Sequence, residues 1–215
     1  MMRAAFAILA ALCLHPPLEE GGDCVCQKAV LTNGWCGHCR VGYAAGLKVP
    51  SALLFEAMDT YGHDIDAPTI QCKTCQKALG SEGYCDGCGF GFVRGKAYAS
   101  KLTYLLAKGM GAEPAAEKCE SCKANARRFG WCESCKVGMV GSSAFRDRAL
   151  YAAAVVEYHR LVAAIAKLPE CEICAIALYR RSRCPKCNIS FRDDKELPED
   201  AAESEKADAG EASSE

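Results

Sequence analysis

Three stretches of the chain carry apolar residues at helical spacing, and each is followed by a residue that stops helices. They cover residues 51–61, 100–108 and about 143–167, and Gly62 and Gly109 directly follow the first two. Glycine commonly follows a helix end, and apolar residues three or four positions apart form one helix face. These faces contain Leu54, Phe55 and Met58 in the first stretch and Phe145, Tyr151, Val155, Tyr158, Val162 and Ile165 in the third. We therefore predict helices that pack against one another through these faces.

The segments between these helices are rich in cysteine. The chain has 17 cysteines in 215 residues, which is near the level at which disulfides or metal ions replace a large core. Three groups of cysteines read C-x2-C-x9-C-x2-C, and the first reads C-x-C-x9-C-x2-C. The groups are Cys24, Cys26, Cys36 and Cys39; Cys72, Cys75, Cys85 and Cys88; Cys119, Cys122, Cys132 and Cys135; and Cys171, Cys174, Cys184 and Cys187. The pattern indicates four copies of one unit.

Other residues repeat with the cysteines. An aromatic residue stands before the third cysteine of the first three groups, namely Trp35, Tyr84 and Trp131, whereas Arg183 stands there in the fourth. Similar short segments, RVGY, GFGF, KVGM and NISF, follow the fourth cysteine of the four groups. This repetition extends the internal similarity beyond the cysteines.

The spacing in each group suits one metal ion bound by four thiolates. In a C-x-x-C turn two thiolates converge on one ion while backbone amides donate to the sulfurs, and two such turns supply the tetrahedral ligands that zinc prefers. Nine residues between the turns are enough for a short β-hairpin. Because so few residues cannot bury a core, the metal must supply the folding free energy, on the order of 10 kcal/mol per site.

We therefore predict about four Zn²⁺ ions, one bound by each group of cysteines. Iron is an alternative, since four thiolates suit both ions. Disulfide bonds are the other alternative, because they form in oxidising compartments. However, a C-x-x-C pair closed on itself would form a small strained loop, which favours metal.

Two of the groups resemble a known family. Residues 72–88, CKTCQKALGSEGYCDGC, and 119–135, CESCKANARRFGWCESC, resemble the short zinc-ribbon modules, often paired as double zinc ribbons, that have an aromatic residue before the second knuckle. The resemblance covers only the cysteine-bearing part of each repeat. It implies metal ligation and a structural, adaptor-like role.

The first group departs from the others because Cys24 and Cys26 are one residue too close for a standard knuckle. When the groups are aligned on Cys26, the missing ligand position falls on Asp23. Three thiolates with a carboxylate, a distorted four-thiolate site and an empty site with reactive thiols all remain open. We expect this site to bind metal most weakly.

The N-terminal residues have the pattern of an export signal. One arginine precedes an apolar run over residues 4–14, and a cut after Cys13 would place the small residues Ala11 and Cys13 where the peptidase requires them. We predict a signal peptide over 1–13 and export to the periplasm or outside the cell; a short core helix is the alternative. No segment reaches the roughly 18 consecutive apolar residues of a membrane span.

The C-terminal residues are strongly acidic. Residues 193–215 contain ten acidic residues and two lysines and no aromatic residue, so we predict a disordered tail. The rest of the chain is basic, with clusters at Lys123, Arg127, Arg128, Arg180, Arg181, Arg183, Lys186 and Arg192. In a chain that is not exported this would favour nucleic-acid binding. In an exported chain we interpret it as a solvated face.

The sequence therefore predicts an α+β protein of four zinc-ribbon-like β-hairpin modules alternating with helices. The divisions are a signal peptide over 1–13, module 1 with its helix over 23–62, module 2 with its helix over 70–110, module 3 with its long helix over 117–168, module 4 over 169–192 and the acidic tail over 193–215.

The predicted function is a non-enzymatic zinc-binding protein with a scaffold role toward a protein partner. Closed four-thiolate sites leave no coordination position for catalysis, and no catalytic arrangement is readable. One alternative is a metal storage or delivery protein with exchangeable sites. Another is a redox protein acting through Cys36 and Cys39, because residues 35–40, WCGHCR, resemble the WCGHCK site of protein disulfide isomerases.

Overall fold

The computed structural model describes residues 26–111, 119–126, 129–192 and 195–197. The helices are α1 (Cys26–Thr32), α2 (Ala52–Met58), α3 (Lys73–Gly80), α4 (Lys101–Lys108), α5 (Glu120–Ala126), α6 (Arg148–Lys167) and α7 (Glu172–Arg180). The strands are β1 (Trp35–Cys36), β2 (Val41–Ala44), β3 (Leu47–Val49), β4 (His63–Asp64), β5 (Tyr84–Cys85), β6 (Phe90–Val93), β7 (Lys96–Tyr98), β8 (Met110–Gly111), β9 (Gly130–Cys132), β10 (Val137–Val140), β11 (Ser143–Phe145), β12 (Arg183–Cys184), β13 (Ile189–Arg192) and β14 (Lys195–Leu197). Helices with small antiparallel sheets confirm the predicted α+β class.

One unit occurs four times: a short helix followed by three antiparallel strands. The helices are α1, α3, α5 and α7, and the strands that follow them are β1–β3, β5–β7, β9–β11 and β12–β14. The nine residues between the cysteine pairs thus contain a helix, where we predicted a hairpin. Lysine, glutamine, alanine and leucine in Lys73–Gly80 all favour a helix. The hairpin instead encloses the second cysteine pair, in the turn between the first two strands.

Three further helices connect the modules. Ser51, Ser100 and Asp147 cap α2, α4 and α6 by accepting hydrogen bonds from amides of the first turn. The first two helices lie within the predicted stretches. The third starts later than predicted, because Ser143–Phe145 forms strand β11 before the Asp147 cap.

The buried face of α6 also differs from the prediction. Its most buried residues are Ala154, Glu157, Arg160, Leu161 and Ala164, whereas Val162 of the predicted face is 40% exposed. Helix α6 packs against α4, α7 and β10. Small alanine side chains allow this close packing, and Glu157 is paired with Arg160, so residues that read as weakly apolar or polar form the contact.

A shared core joins all four modules. It contains residues of α2, α4, α6 and α7 and of the strands that face them: Val49, Leu54, Phe55, Met58, Val93, Leu102, Leu105, Val140, Phe145, Leu161 and Tyr179, among others. Smaller clusters built around cysteines lie apart from it. The connectors also add strands, since β4 pairs with β7 and β8 pairs with β11. The predicted packing of helices against one another is present, with cysteine clusters as satellites.

Among the described helices, α6 alone has the length and apolar composition of a membrane span. This evidence is weak, because a helix packed in a protein core meets the same criterion. The buried pair of Glu157 and Arg160 interrupts its apolar run. The absence of a membrane span stays a prediction.

Several predictions concern residues outside the described parts of the chain. These include the signal peptide over 1–13, Asp23, Cys24 and most of the acidic tail. Lys195–Leu197, which we included in the disordered tail, forms β14 and pairs with β13. These three residues therefore belong to the last sheet.

Candidate metal centres

The structure brings the predicted ligands together. In each of the last three groups four sulfur atoms lie within 4.8 Å of one another, and in the first group three described sulfurs do so. The clusters are Cys72, Cys75, Cys85 and Cys88; Cys119, Cys122, Cys132 and Cys135; Cys171, Cys174, Cys184 and Cys187; and Cys26, Cys36 and Cys39. The remaining predicted ligand, Cys24, lies outside the described residues.

Local structure positions each sulfur in a repeated way. In the second and fourth modules the first cysteine, Cys72 or Cys171, is the residue before the helix, so the second cysteine lies in the first helical turn. The third cysteine ends the first strand, and the fourth lies in the turn that follows. Backbone amides point at sulfurs: the amide of Cys174 donates to Cys171 Sγ over 3.4 Å, and that of Cys187 donates to Cys184 Sγ over 3.4 Å. These are the amide–sulfur contacts expected of metal knuckles.

The distances between sulfurs test whether a metal fits. Cys119 Sγ and Cys132 Sγ are 3.9 Å apart, and Cys26 Sγ and Cys39 Sγ are 3.4 Å apart. With zinc–sulfur bonds of about 2.3 Å, a tetrahedral site has sulfurs about 3.8 Å apart, whereas a disulfide bond is about 2.05 Å long. None of the fifteen described cysteines is in a disulfide bond. The distance between Cys119 Sγ and Cys132 Sγ therefore fits a tetrahedral ion held by thiolates, and both distances are much longer than a disulfide bond.

The third and fourth cysteines differ in burial in the same way in all four clusters. The third cysteine of each group is buried, whereas the fourth, at Cys39, Cys88, Cys135 or Cys187, is exposed. In each cluster the third cysteine therefore faces the protein interior and the fourth faces solvent.

The environment changes the acidity of the thiols within a cluster. Hydrogen bonds from backbone amides, chiefly that of Cys75, lower the pKa of Cys72 to about 6, and the amide of Cys135 has the main lowering effect on Cys132, also to about 6. Burial raises the pKa of Cys75 and of Cys122. One thiol of each of these clusters is thus favoured as a thiolate by the backbone, and its buried neighbour needs a cation to lose its proton.

The donor set limits which ions fit. The described residues of each cluster offer sulfur alone, which suits zinc and iron and disfavours hard cations such as Mg²⁺. In the last three clusters four protein ligands would complete a tetrahedral site. These residues fit a structural metal ion.

The aromatic residue before the third cysteine holds the cluster to the connecting helix. In each of the first three modules this residue lies opposite a glycine in the next strand and packs on an aromatic ring of the connecting helix. In module 1, Trp35 lies opposite Gly42 and its ring centroid is 5.4 Å from that of Phe55. The corresponding sets are Tyr84, Gly91 and Tyr104 at 5.3 Å in module 2, and Trp131, Gly138 and Tyr151 at 5.6 Å in module 3. A Cβ at any of these glycines would overlap the helix ring. The repeat of aromatic residues was visible in the sequence, but their helical partners were not.

The segment that resembles disulfide isomerases has a different setting here. Cys36 is the last residue of β1 and is fully buried, and the chain turns through 37–40 into β2. No helix begins at this dithiol, although the redox enzymes need one to activate the thiol. Cys39 lies beside Cys26, as a metal ligand would.

The comparisons with known proteins add no family. No protein-family model matches the sequence, and no match is found to a curated protein or to a solved structure.

Proposed function

We propose that this chain is an exported, non-enzymatic zinc-binding protein whose thiolate sites are structural and whose assembled surface binds a protein partner. The observation that carries the proposal is the recurrence of the sulfur clusters, in which all described donors of a group lie within 4.8 Å of one another. Export is proposed from the N-terminal pattern alone.

The composition of the small cores supports a structural role for the metal. The satellite core of the fourth module consists of Cys171, Cys174, Ala177, Cys184 and Phe191, with three partly buried residues packed against it. Three of its five buried residues are therefore ligands. Such a cluster buries too little apolar surface to stay folded without the bonds to a metal ion.

The coordination also supports a role without catalysis. A site closed by four protein ligands has no position for water or substrate, so it offers no Lewis-acid chemistry. A metal storage or delivery role is the second candidate. It is favoured at the first cluster, because Cys24 and Cys26 are one residue too close for a standard C-x-x-C turn.

Native mass spectrometry of the protein isolated from its own compartment, combined with counting of free thiols, tests the proposal. We expect one zinc ion for each group of cysteines and no disulfide bonds. The Cys85→Ser variant should bind one ion fewer, while Ser81→Ala in the same module should keep the full number. A metal-free protein with disulfide bonds would contradict the proposal. Its mass would be lower than that of the reduced chain by two hydrogens for every pair of cysteines. If a mild chelator readily removed the ion of the first cluster, this would support a metal storage or delivery role.

A further inference from the structure

A polar cavity of about 160 Å³ lies where the second, third and fourth modules meet. Its wall is formed by the second knuckle of module 2, the start of α4, the middle of α6 and the end of α7. The charged residues that line it are Lys101, Glu157, Arg180 and Arg181, and Tyr84, Ser100 and Tyr179 add hydroxyl groups.

Glu157 is the buried anchor of the cavity. It is 4% exposed, as is Arg160, and both carboxylate oxygens accept hydrogen bonds. Arg160 Nη1 donates to Oε2 over 2.5 Å, and Arg181 Nη2 donates to Oε1 over 2.8 Å. Two guanidinium groups thus share one carboxylate, which fixes Arg181 at the cavity wall.

Two further cations, Arg180 and Lys101, line the cavity. Arg180 Nη1 donates to the carbonyl oxygens of Ala57, over 3.1 Å, and Ala99, over 2.5 Å. Within the described parts of the chain, no carboxylate forms an ion pair with Arg180. Lys101 pairs with Asp86 over 2.8 Å, but the Asp86 side chain is 77% exposed, so water screens this pair. Among the described residues at the cavity, three cations, Lys101, Arg180 and Arg181, thus lie against two carboxylates, those of Glu157 and Asp86.

The hydroxyl groups of the wall supply further hydrogen-bonding atoms. Ser100 Oγ and the Tyr179 hydroxyl are 2.6 Å apart and buried. Burial, with a smaller contribution from Glu157, raises the pKa of Tyr84 to about 12, so its phenol keeps its proton at neutral pH. Lys101 Nζ lies 5.0 Å from the Tyr84 ring centroid, which holds the ammonium group at the cavity.

We propose that this cavity binds a phosphate group, either as free phosphate or as the terminal group of a small phosphate ester. Guanidinium and ammonium groups with hydroxyl donors are the usual ligands of tetrahedral oxyanions. The volume suits one such group. A bound anion would contact three modules at once and so would hold them together.

A competing explanation is that the cations neutralise the second metal cluster. Cys88 of that cluster lines the cavity, and a zinc ion with four thiolates is itself anionic. The two explanations differ in whether phosphate binds to the zinc-loaded protein, because only the proposed site predicts such binding.

Isothermal titration calorimetry of the zinc-loaded full chain tests the proposal, with inorganic phosphate and glycerol 2-phosphate as probes at constant ionic strength. We expect one site per chain for at least one probe, and the probe that binds identifies a free anion or an ester. Lys101→Gln should weaken binding about tenfold because it removes one direct charge. Lys96→Gln is the matched control, since Lys96 pairs with exposed Asp64 in the same module and should leave the affinity unchanged.

Metal content and near-ultraviolet circular dichroism are measured on every sample, so that loss of zinc or of folding is recognised. Arg180→Lys keeps the charge and should retain more affinity than Arg180→Gln. Binding of neither probe would contradict the proposal, as would equal weakening by Lys101→Gln and Lys96→Gln. Heat that arises only from removal of zinc by phosphate would also contradict it.

Discussion

At the scale of residues, the contact between an aromatic ring and a glycine explains two features that repeat in the sequence. Trp131 lies across from Gly138, and the bare glycine leaves room for the ring of Tyr151. The fourth module has Arg183 opposite Ser190, and no connecting helix follows it in the described chain. In the fourth module the aromatic residue and the glycine are thus both replaced, and the described part of the chain has no connecting helix to supply a ring.

Replacing one of these glycines should destabilise the protein. In Gly91→Ala the new methyl group would overlap the Tyr104 ring, so either the helix or the strand must shift. Overpacking of this kind costs about 1 to 3 kcal/mol. We expect a lower midpoint of thermal unfolding at a fixed concentration of free zinc.

Gly80→Ala is the matched control for this prediction. Gly80 lies in α3 of the same module, and nothing is within 4 Å of a Cβ placed there. It should unfold at or slightly above the temperature of the unchanged protein, because alanine favours a helix. If both variants behaved alike, the aromatic–glycine contact would not contribute to stability.

At the scale of elements, cysteine spacing predicted correctly which of the described cysteines cluster, and it predicted the intervening structure wrongly. A hairpin between the pairs is compatible with nine residues, but so is a helix of two turns. The residues themselves decide, since Lys77, Ala78 and Leu79 are good helix formers and Gly83 lies past the helix end. Ligand positions follow from spacing alone, whereas the path between them depends on local propensity.

Helix α7 differs from the other three short helices that begin a module. It packs against α6 and α2, and Tyr179 is buried in the shared core. At its N-terminal end Glu172 accepts a hydrogen bond from Ser51 over 2.5 Å, and at its C-terminal end Arg180 contacts carbonyls of two connecting segments. The fourth metal site therefore supports a helix on which the first three modules rely.

Loss of the fourth site should consequently loosen the whole molecule. In Cys184→Ser we expect faster amide exchange in α7 and also in α2, α4 and α6, measured by hydrogen–deuterium exchange mass spectrometry. Cys85→Ser removes the equivalent ligand of module 2, whose helix α3 contributes no residue to the shared core. Its effect should stay mostly within 72–98. If the faster amide exchange of Cys184→Ser were confined to residues 171–197, this would contradict the role of α7.

At the scale of the whole molecule, small clusters around cysteines surround one common core. The clusters and the helices could be predicted from spacing and periodicity. Their assembly could not, because the buried face of α6 includes Ala154, Ala164 and the pair of Glu157 and Arg160, which carry no strong apolar signal. Paired charges become core residues only when their partners are known.

The central claim is that metal–thiolate bonds keep these modules folded. The chain has two tryptophans, Trp35 and Trp131, and each directly precedes a buried ligand and packs on a connecting helix. Their fluorescence therefore reports on the first and third modules, and circular dichroism reports on the whole chain.

The most direct test is removal of metal with a strong chelator under reducing conditions, followed by these two signals and by metal analysis. Because each closed site contributes on the order of 10 kcal/mol, we predict loss of tertiary structure and of most helix, and its return when zinc is added. A metal-free, reduced protein that keeps its fluorescence and its circular dichroism would contradict the account.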